Sequence, residues 1–173
     1  MLSLVSGGAA SGKSEYAESL ILASEARPRV YVATMEVWDR ESQERVRRHR
    51  DMRKDKGFVT VEAPRNLAHA ELPQGGAALL ECMSNLCANE CFGPDGFAGA
   101  YDRIWQGICH LLDACEDVVI VSNELFSDGI SYAPETEQYL SILADLNRAI
   151  AARADRVYEV CCGIPILWKG ANP

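Results

Sequence analysis

The chain has 173 residues, 48% of them apolar, and a formal net charge of -8. That is enough for one packed domain over residues 1–173, and it excludes a disordered chain. An acidic protein is a poor general binder of nucleic acid, so any anion site must be local. No run approaches the roughly 18 apolar residues that cross a bilayer. The N-terminus lacks the basic flank and long apolar stretch of a secretory leader, so the expected location is cytoplasmic.

Leu2–Val5 reads as a first strand, and Lys13 to about Ala26 as a helix with Ala17, Leu20, Ile21 and Ser24 on one face. Pro28 breaks it. Val30–Ala33 is a short strand by its β-branched and aromatic content. Asp39 to about Asp55 has helical length but only Val46 and Met52 as apolar residues, so it is exposed or faces a ligand. Phe58–Ala63 is a strand closed by Pro64. Ala77–Cys82 is a continuous apolar run, the mark of a strand buried on both faces. A helix follows through Leu86–Phe92, then a loop at Gly93–Gly96. Ile104, Ile108, Leu111, Leu112 and Cys115 mark a long amphipathic helix. Asp117–Ser122 is another buried strand, and Asn123–Pro134 a long loop. Tyr139, Ile142, Leu143, Leu146 and Ile150 mark a second long helix. Arg156–Cys161 and Ile166–Trp168 are strands joined at Gly163-Ile164-Pro165. The alternation predicts an α/β fold with a mainly parallel sheet, helices on both faces and a C-terminal antiparallel hairpin.

Between the first strand and helix lies Gly7-Gly8-Ala9-Ala10-Ser11-Gly12-Lys13-Ser14, a full match to G-x-x-x-x-G-K-[ST]. A strand, a glycine-rich loop and a helix in that order form a phosphate-binding device of the P-loop NTPase kind. Backbone N–H groups wrap the phosphates, and the helix N-terminus adds its positive dipole end. Lys13 would reach the β/γ-phosphates and Ser14 would hold Mg²⁺. Ligands in such sheets sit at the carboxyl ends of the strands. That rule collects Thr34, Glu62, Glu81 and Asn123-Glu124 along the same rim. Glu81 is a candidate Mg²⁺ ligand at its strand end, and Glu124 another.

Seven of the 17 basic residues fall in the 12 positions from Arg45 to Lys56. This run reads as a solvated helix, a nucleic-acid patch without aromatic stacking partners, or an arginine clamp for a triphosphate. His49 lies within it. Surrounding positive charge favours a neutral imidazole, which is a nucleophile able to attack an α-phosphorus. On composition alone a surface histidine is the simpler reading. His69 and His110 read as structural. The seven cysteines include no C-x-x-C pair and read as buried thiols acting as small apolar residues.

These segments together resemble the bifunctional adenosylcobinamide kinase/adenosylcobinamide-phosphate guanylyltransferase family. LVSGGAASGKS, VYVAT at 30–34, the Asp39, Glu41, Arg45, Val46 and His49 pattern, VTVEAP at 59–64, LLEC at 79–82, VSNE at 121–124, Asn147 and the closing ADRVYEVCCGIPILWKG follow the family's order. The resemblance implies that His49 carries GMP and that Lys13 acts in phosphoryl transfer. It implies nucleotide contacts at Gly7–Ser14, at Ala33, Thr34 and Met35, at Arg50, Asp51, Met52 and Arg53, and at Glu62 and Glu81. It also implies GTP and ATP as substrates, Mg²⁺ held by Ser14 and Glu81, a corrinoid acceptor and a trimer. The chain departs from the family pattern in four places: Ala10 for an arginine, Phe58 for a tryptophan, a longer loop after Asn123-Glu124, and Tyr139-Leu140-Ser141 for Phe-Arg-Asp. The alternatives are another small-molecule P-loop kinase, a guanylyltransferase without the kinase step, and a nucleotide-binding switch.

Overall fold

The computed structural model describes residues 1–36 and 55–171. These residues form a seven-stranded sheet in the order β3-β2-β4-β5-β1-β6-β7. Its strands are β1 (Leu2–Gly7), β2 (Arg29–Ala33), β3 (Phe58–Glu62), β4 (Gly76–Leu80), β5 (Cys115–Asn123), β6 (Arg156–Cys161) and β7 (Ile164–Lys169). All pairings are parallel except β6 with β7. The described helices are α1 (Lys13–Ala23), α2 (Met83–Cys91), α3 (Ala100–Ala114) and α4 (Pro134–Arg153). The expected α/β architecture and closing hairpin are both present.

Successive strand residues point to opposite faces of a sheet, and each face here has its own core. Leu2, Leu4, Val118 and Ile120 pack with Ile104, Ile108 and Leu111 of α3 and with Leu143, Leu146 and Ile150 of α4. Val5, Val119 and Val121 turn the other way, onto Ala17 and Ile21 of α1. β4 is buried at all five positions, as its unbroken apolar run requires. A part-buried ion pair holds the α3 side: Arg103 Nε donates to Glu90 Oε2 at 3.1 Å, and Glu90 is only 3% exposed.

Several boundaries differ from the sequence expectation. β1 continues through Ser6 and Gly7 because both pair with β5. α1 stops at Ala23, where Ser24 turns extended and its hydroxyl binds Asp117. Pro134 opens α4 as its first residue instead of ending the loop, a position where its missing N–H costs nothing. β7 begins at Ile164 because the reversal needs only Cys162 and Gly163, both at positive φ. Pro165 is tolerated because β7 is an edge strand. The reading of all cysteines as buried is corrected: Cys87, Cys91 and Cys115 are buried, Cys82 and Cys109 are half-buried, and Cys161 and Cys162 are exposed on that reversal.

Candidate active site

β1 delivers Gly7 to the carboxyl edge of the sheet, in register with Asn123 of β5. A Cβ on Gly7 would sit 2.6 Å from both the Val160 carbonyl oxygen and Ser11 Oγ, so the chain can turn here only without a side chain. Gly12 has φ +91°, the left-handed region that favours glycine. Lys13 and Ser14 then start α1. The loop is braced from outside by the β6–β7 reversal, whose Gly163 N–H donates to the Ser11 carbonyl at 2.8 Å. Nothing in the sequence pattern announced that brace.

Lys13 folds back into the loop and donates from Nζ to the Gly8 carbonyl at 2.9 Å. Burial holds its pKa below the ordinary lysine value, with Cys82 opposing weakly. A buried ammonium with one carbonyl partner is ready to pair with phosphate oxygens, which offset its desolvation. The Gly8, Ala9 and Ala10 positions are exposed to an incoming ligand, as is Ser14 in the first turn of α1.

The neighbouring strand ends are tied together by side chains. The Thr34 N–H donates to Glu81 Oε2 at 3.0 Å, and Thr34 Oγ1 donates to the Cys82 carbonyl at 3.1 Å. Glu81 lies one residue beyond β4, not within it, and is half-buried. Asn89 of α2 donates to the carbonyls of both Thr34 and Pro64 at 2.8 and 3.0 Å, clamping the ends of β2 and β3. Asn123 Nδ2 donates to Ser84 Oγ at 2.6 Å. Asn89 and Ser84 carry no sequence signal, since single polar residues in a helix are common.

The predicted residues are not all equally close. Gly7–Ser14 form one loop; Glu81 follows β4, two strands away or about 10 Å at roughly 4.8 Å per strand, and Ala33, Thr34 and Met35 lie at the end of β2, three strands away or about 14 Å. Glu62 ends β3 at the sheet margin, four strands from β1 or about 19 Å, and it is exposed. It cannot hold the same phosphate group as the loop. Glu124, the other candidate metal ligand, is engaged by its own loop. Its carboxylate accepts the Phe126 N–H at 2.9 Å and the Ser127 hydroxyl at 2.7 Å, so it folds its own loop. His110 binds the Ala70 carbonyl at 2.9 Å, in keeping with a structural role. His49, Arg50, Asp51, Met52 and Arg53, with Asp39, Glu41 and Arg45, lie outside the described residues.

For a divalent cation the edge offers the Ser14 hydroxyl and the Glu81 carboxylate. An all-oxygen donor set suits a hard ion such as Mg²⁺. Among the described residues no cluster of three or more histidine, cysteine or acidic side chains is placed to hold a metal.

A parallel α/β sheet with a glycine-constrained loop, a buried lysine and a carboxylate edge defines a P-loop nucleotide-dependent transferase. The chain belongs to the cobinamide kinase/cobinamide phosphate guanyltransferase family, whose sequence profile matches residues 3–167. It is 34% identical over 98% of its length to the bifunctional adenosylcobalamin biosynthesis protein CobU of Salmonella typhimurium, all of which is covered. The Escherichia coli CobU is 32% identical with the same coverage. The Pseudomonas aeruginosa CobP, also named as bifunctional, is 31% identical with 98% of each chain covered. Among solved structures, a Pyrococcus horikoshii protein superposes with a TM-score of 0.49 at 10% identity, covering 99% of this chain and 87% of its own; the likeness is too distant to carry an argument.

Proposed function

We propose that this chain performs both transfers named for its family, with Lys13 serving the phosphoryl transfer and His49 the guanylyl transfer. The observation that carries the reading is the preformed loop with the Lys13 ammonium turned into it, within a chain matched by the family over residues 3–167.

In the first reaction the terminal hydroxyl of adenosylcobinamide attacks the γ-phosphorus of ATP or GTP. The new P–O bond forms as the γ–β bridging bond breaks, the nucleoside diphosphate leaves, and the hydroxyl proton is lost. The loop N–H groups of Gly8–Ser14 and Lys13 neutralise charge on the phosphate oxygens. Ser14 and Glu81 would hold Mg²⁺, which when bound spreads the charge of the transferring group. In the second reaction a neutral ring nitrogen of His49 attacks the α-phosphorus of GTP and pyrophosphate leaves. A phosphate oxygen of adenosylcobinamide phosphate then attacks that phosphorus, and the P–N bond breaks to give adenosylcobinamide-GDP. Arg50 and Arg53 would offset the phosphate charge, and Asp51, Met52, Ala33, Thr34, Met35 and Glu62 would contact the nucleotide. The enzyme acts in the cytoplasm on small molecules, as a homo-oligomer that family resemblance makes a trimer.

A second reading keeps only guanylyl transfer. It is favoured by Tyr139-Leu140-Ser141, which replaces the family's Phe-Arg-Asp and lines the cavities beside Glu124. Assays of both steps with Lys13→Ala and His49→Ala separate the readings. Lys13→Ala should abolish phosphorylation of adenosylcobinamide, and His49→Ala should abolish adenosylcobinamide-GDP formation from the supplied phosphate while leaving the kinase step. Wild-type protein active only in the second assay would establish the narrower reading. Guanylyl transfer by His49→Ala would sink the covalent scheme.

A further inference from the structure

We propose that the loop after β5 and the start of α4 form the docking site for the corrinoid acceptor, with the macrocycle lying on the loop's exposed apolar side chains and one edge entering the acidic cavity beside them. This inference rests on the functional reading above for the identity of the acceptor.

The cavity measures about 390 Å³ and lies between the loop and the first turns of α4, with Glu124, Asp128, Tyr132 and Tyr139 in its wall. A second, of about 280 Å³, shares Asp128 and Tyr132 and adds Glu137. Every charged side chain lining either is a carboxylate. Such a wall repels a nucleotide triphosphate. It attracts a cobalt(III) alkylcorrin, which is cationic because corrin and one alkyl ligand do not cancel the metal's charge. Carboxylate and hydroxyl oxygens also accept hydrogen bonds from the carboxamide fringe of a corrinoid.

Apolar area is arranged to match. Leu125, Phe126, Ile130 and Tyr132 are 37, 44, 61 and 39% exposed, four large side chains within eight residues. They are not the tips of a slack loop. Besides the two bonds to Glu124, the Ile130 N–H and the Tyr132 hydroxyl donate to Asp128, and the Tyr132 N–H donates to Glu137 at 2.9 Å. The three carboxylates thus fix the loop from within and leave its apolar side chains outward, which lowers the ordering cost of binding a large flat ligand. The volume is too small to enclose a macrocycle, so the site is a platform with a slot. Its position is right for the chemistry: the Glu124 N–H donates to the Gly7 carbonyl at 3.1 Å, so the platform begins beside the phosphate loop and a pendant hydroxyl can reach a γ-phosphate there.

The test uses a Phe126→Ser, Ile130→Ser double variant of the full chain, which keeps every loop-fixing hydrogen bond. Equilibrium dialysis of adenosylcobinamide without nucleotide should show affinity reduced about tenfold or more. KM for the corrinoid should rise in step, while GMP loading from GTP alone, which uses no corrinoid, keeps its rate. Unchanged corrinoid affinity and KM would overturn the proposal. So would an altered oligomeric state on size exclusion with corrinoid binding intact, which would make the loop a subunit contact. Loss of GMP loading in the wild type would sink the functional reading instead, and dialysis would still decide the docking site.

Discussion

The two loops that meet at the Gly7–Glu124 hydrogen bond are built by opposite means. The phosphate loop is fixed by backbone: a glycine with no room for a Cβ, a glycine at positive φ, and a brace from the β6–β7 reversal. Its function is carried by N–H groups that any sequence supplies, so its constraint appears as required glycines. The loop after β5 is fixed by side chains, Glu124 and Asp128 acting on nearby backbone N–H and hydroxyl groups. Its surface is a shape with a charge, and many sequences make such a shape. The first loop is therefore constrained at Gly7 and Gly12, and the second is constrained at its carboxylates and free to vary in its outward side chains.

Substitutions should break that contrast in order of size. Arg103→Ala takes the guanidinium from the buried Glu90 carboxylate, which keeps only the Asn66 N–H, and should cost about 3 kcal/mol in denaturant unfolding. Gly7→Ala drives a Cβ against the Val160 carbonyl, and backbone cannot move as a flexible side chain can. It should cost about 1–3 kcal/mol and abolish nucleotide binding in calorimetry, leaving corrinoid dialysis nearly unchanged. Asp128→Asn should shift global stability by less than about 0.5 kcal/mol, yet amide exchange at Phe126–Tyr132 should accelerate while β1 and β5 stay protected.

Acid sharpens the comparison further. The Tyr132 hydroxyl, then the Ile130 N–H, hold the Asp128 carboxyl below its ordinary value. A depressed carboxylate pKa contributes order above the unfolded value, and that contribution is lost as pH falls through the folded one. The Ile130 amide resonance should therefore titrate below the usual carboxylate range, and Asp128→Asn should remove the transition.

The same contrast explains what the sequence could disclose. The phosphate loop was legible because its geometry dictates glycine and lysine at fixed spacing. Strand and helix types were legible from period and apolar runs, as in the continuous burial of β4. Ends were less so: Ser6 and Gly7 look like loop residues and become strand only by pairing with β5, and Pro165 looks like a turn until it falls on an edge. The Asn89 clamp and the Gly163 brace join segments distant in sequence, so no local pattern shows them. The separation of Glu62 from the phosphate loop along the rim is set by strand order, which is written in no single strand.

The covalent step is the central claim, and intact-mass spectrometry after incubation with GTP and Mg²⁺, followed by peptide mapping, tests it most directly. The expected result is one added GMP on His49, stable to alkali and lost in acid. An unmodified mass from protein that still binds GTP would contradict the scheme and leave a P-loop kinase in which His49 has no covalent role.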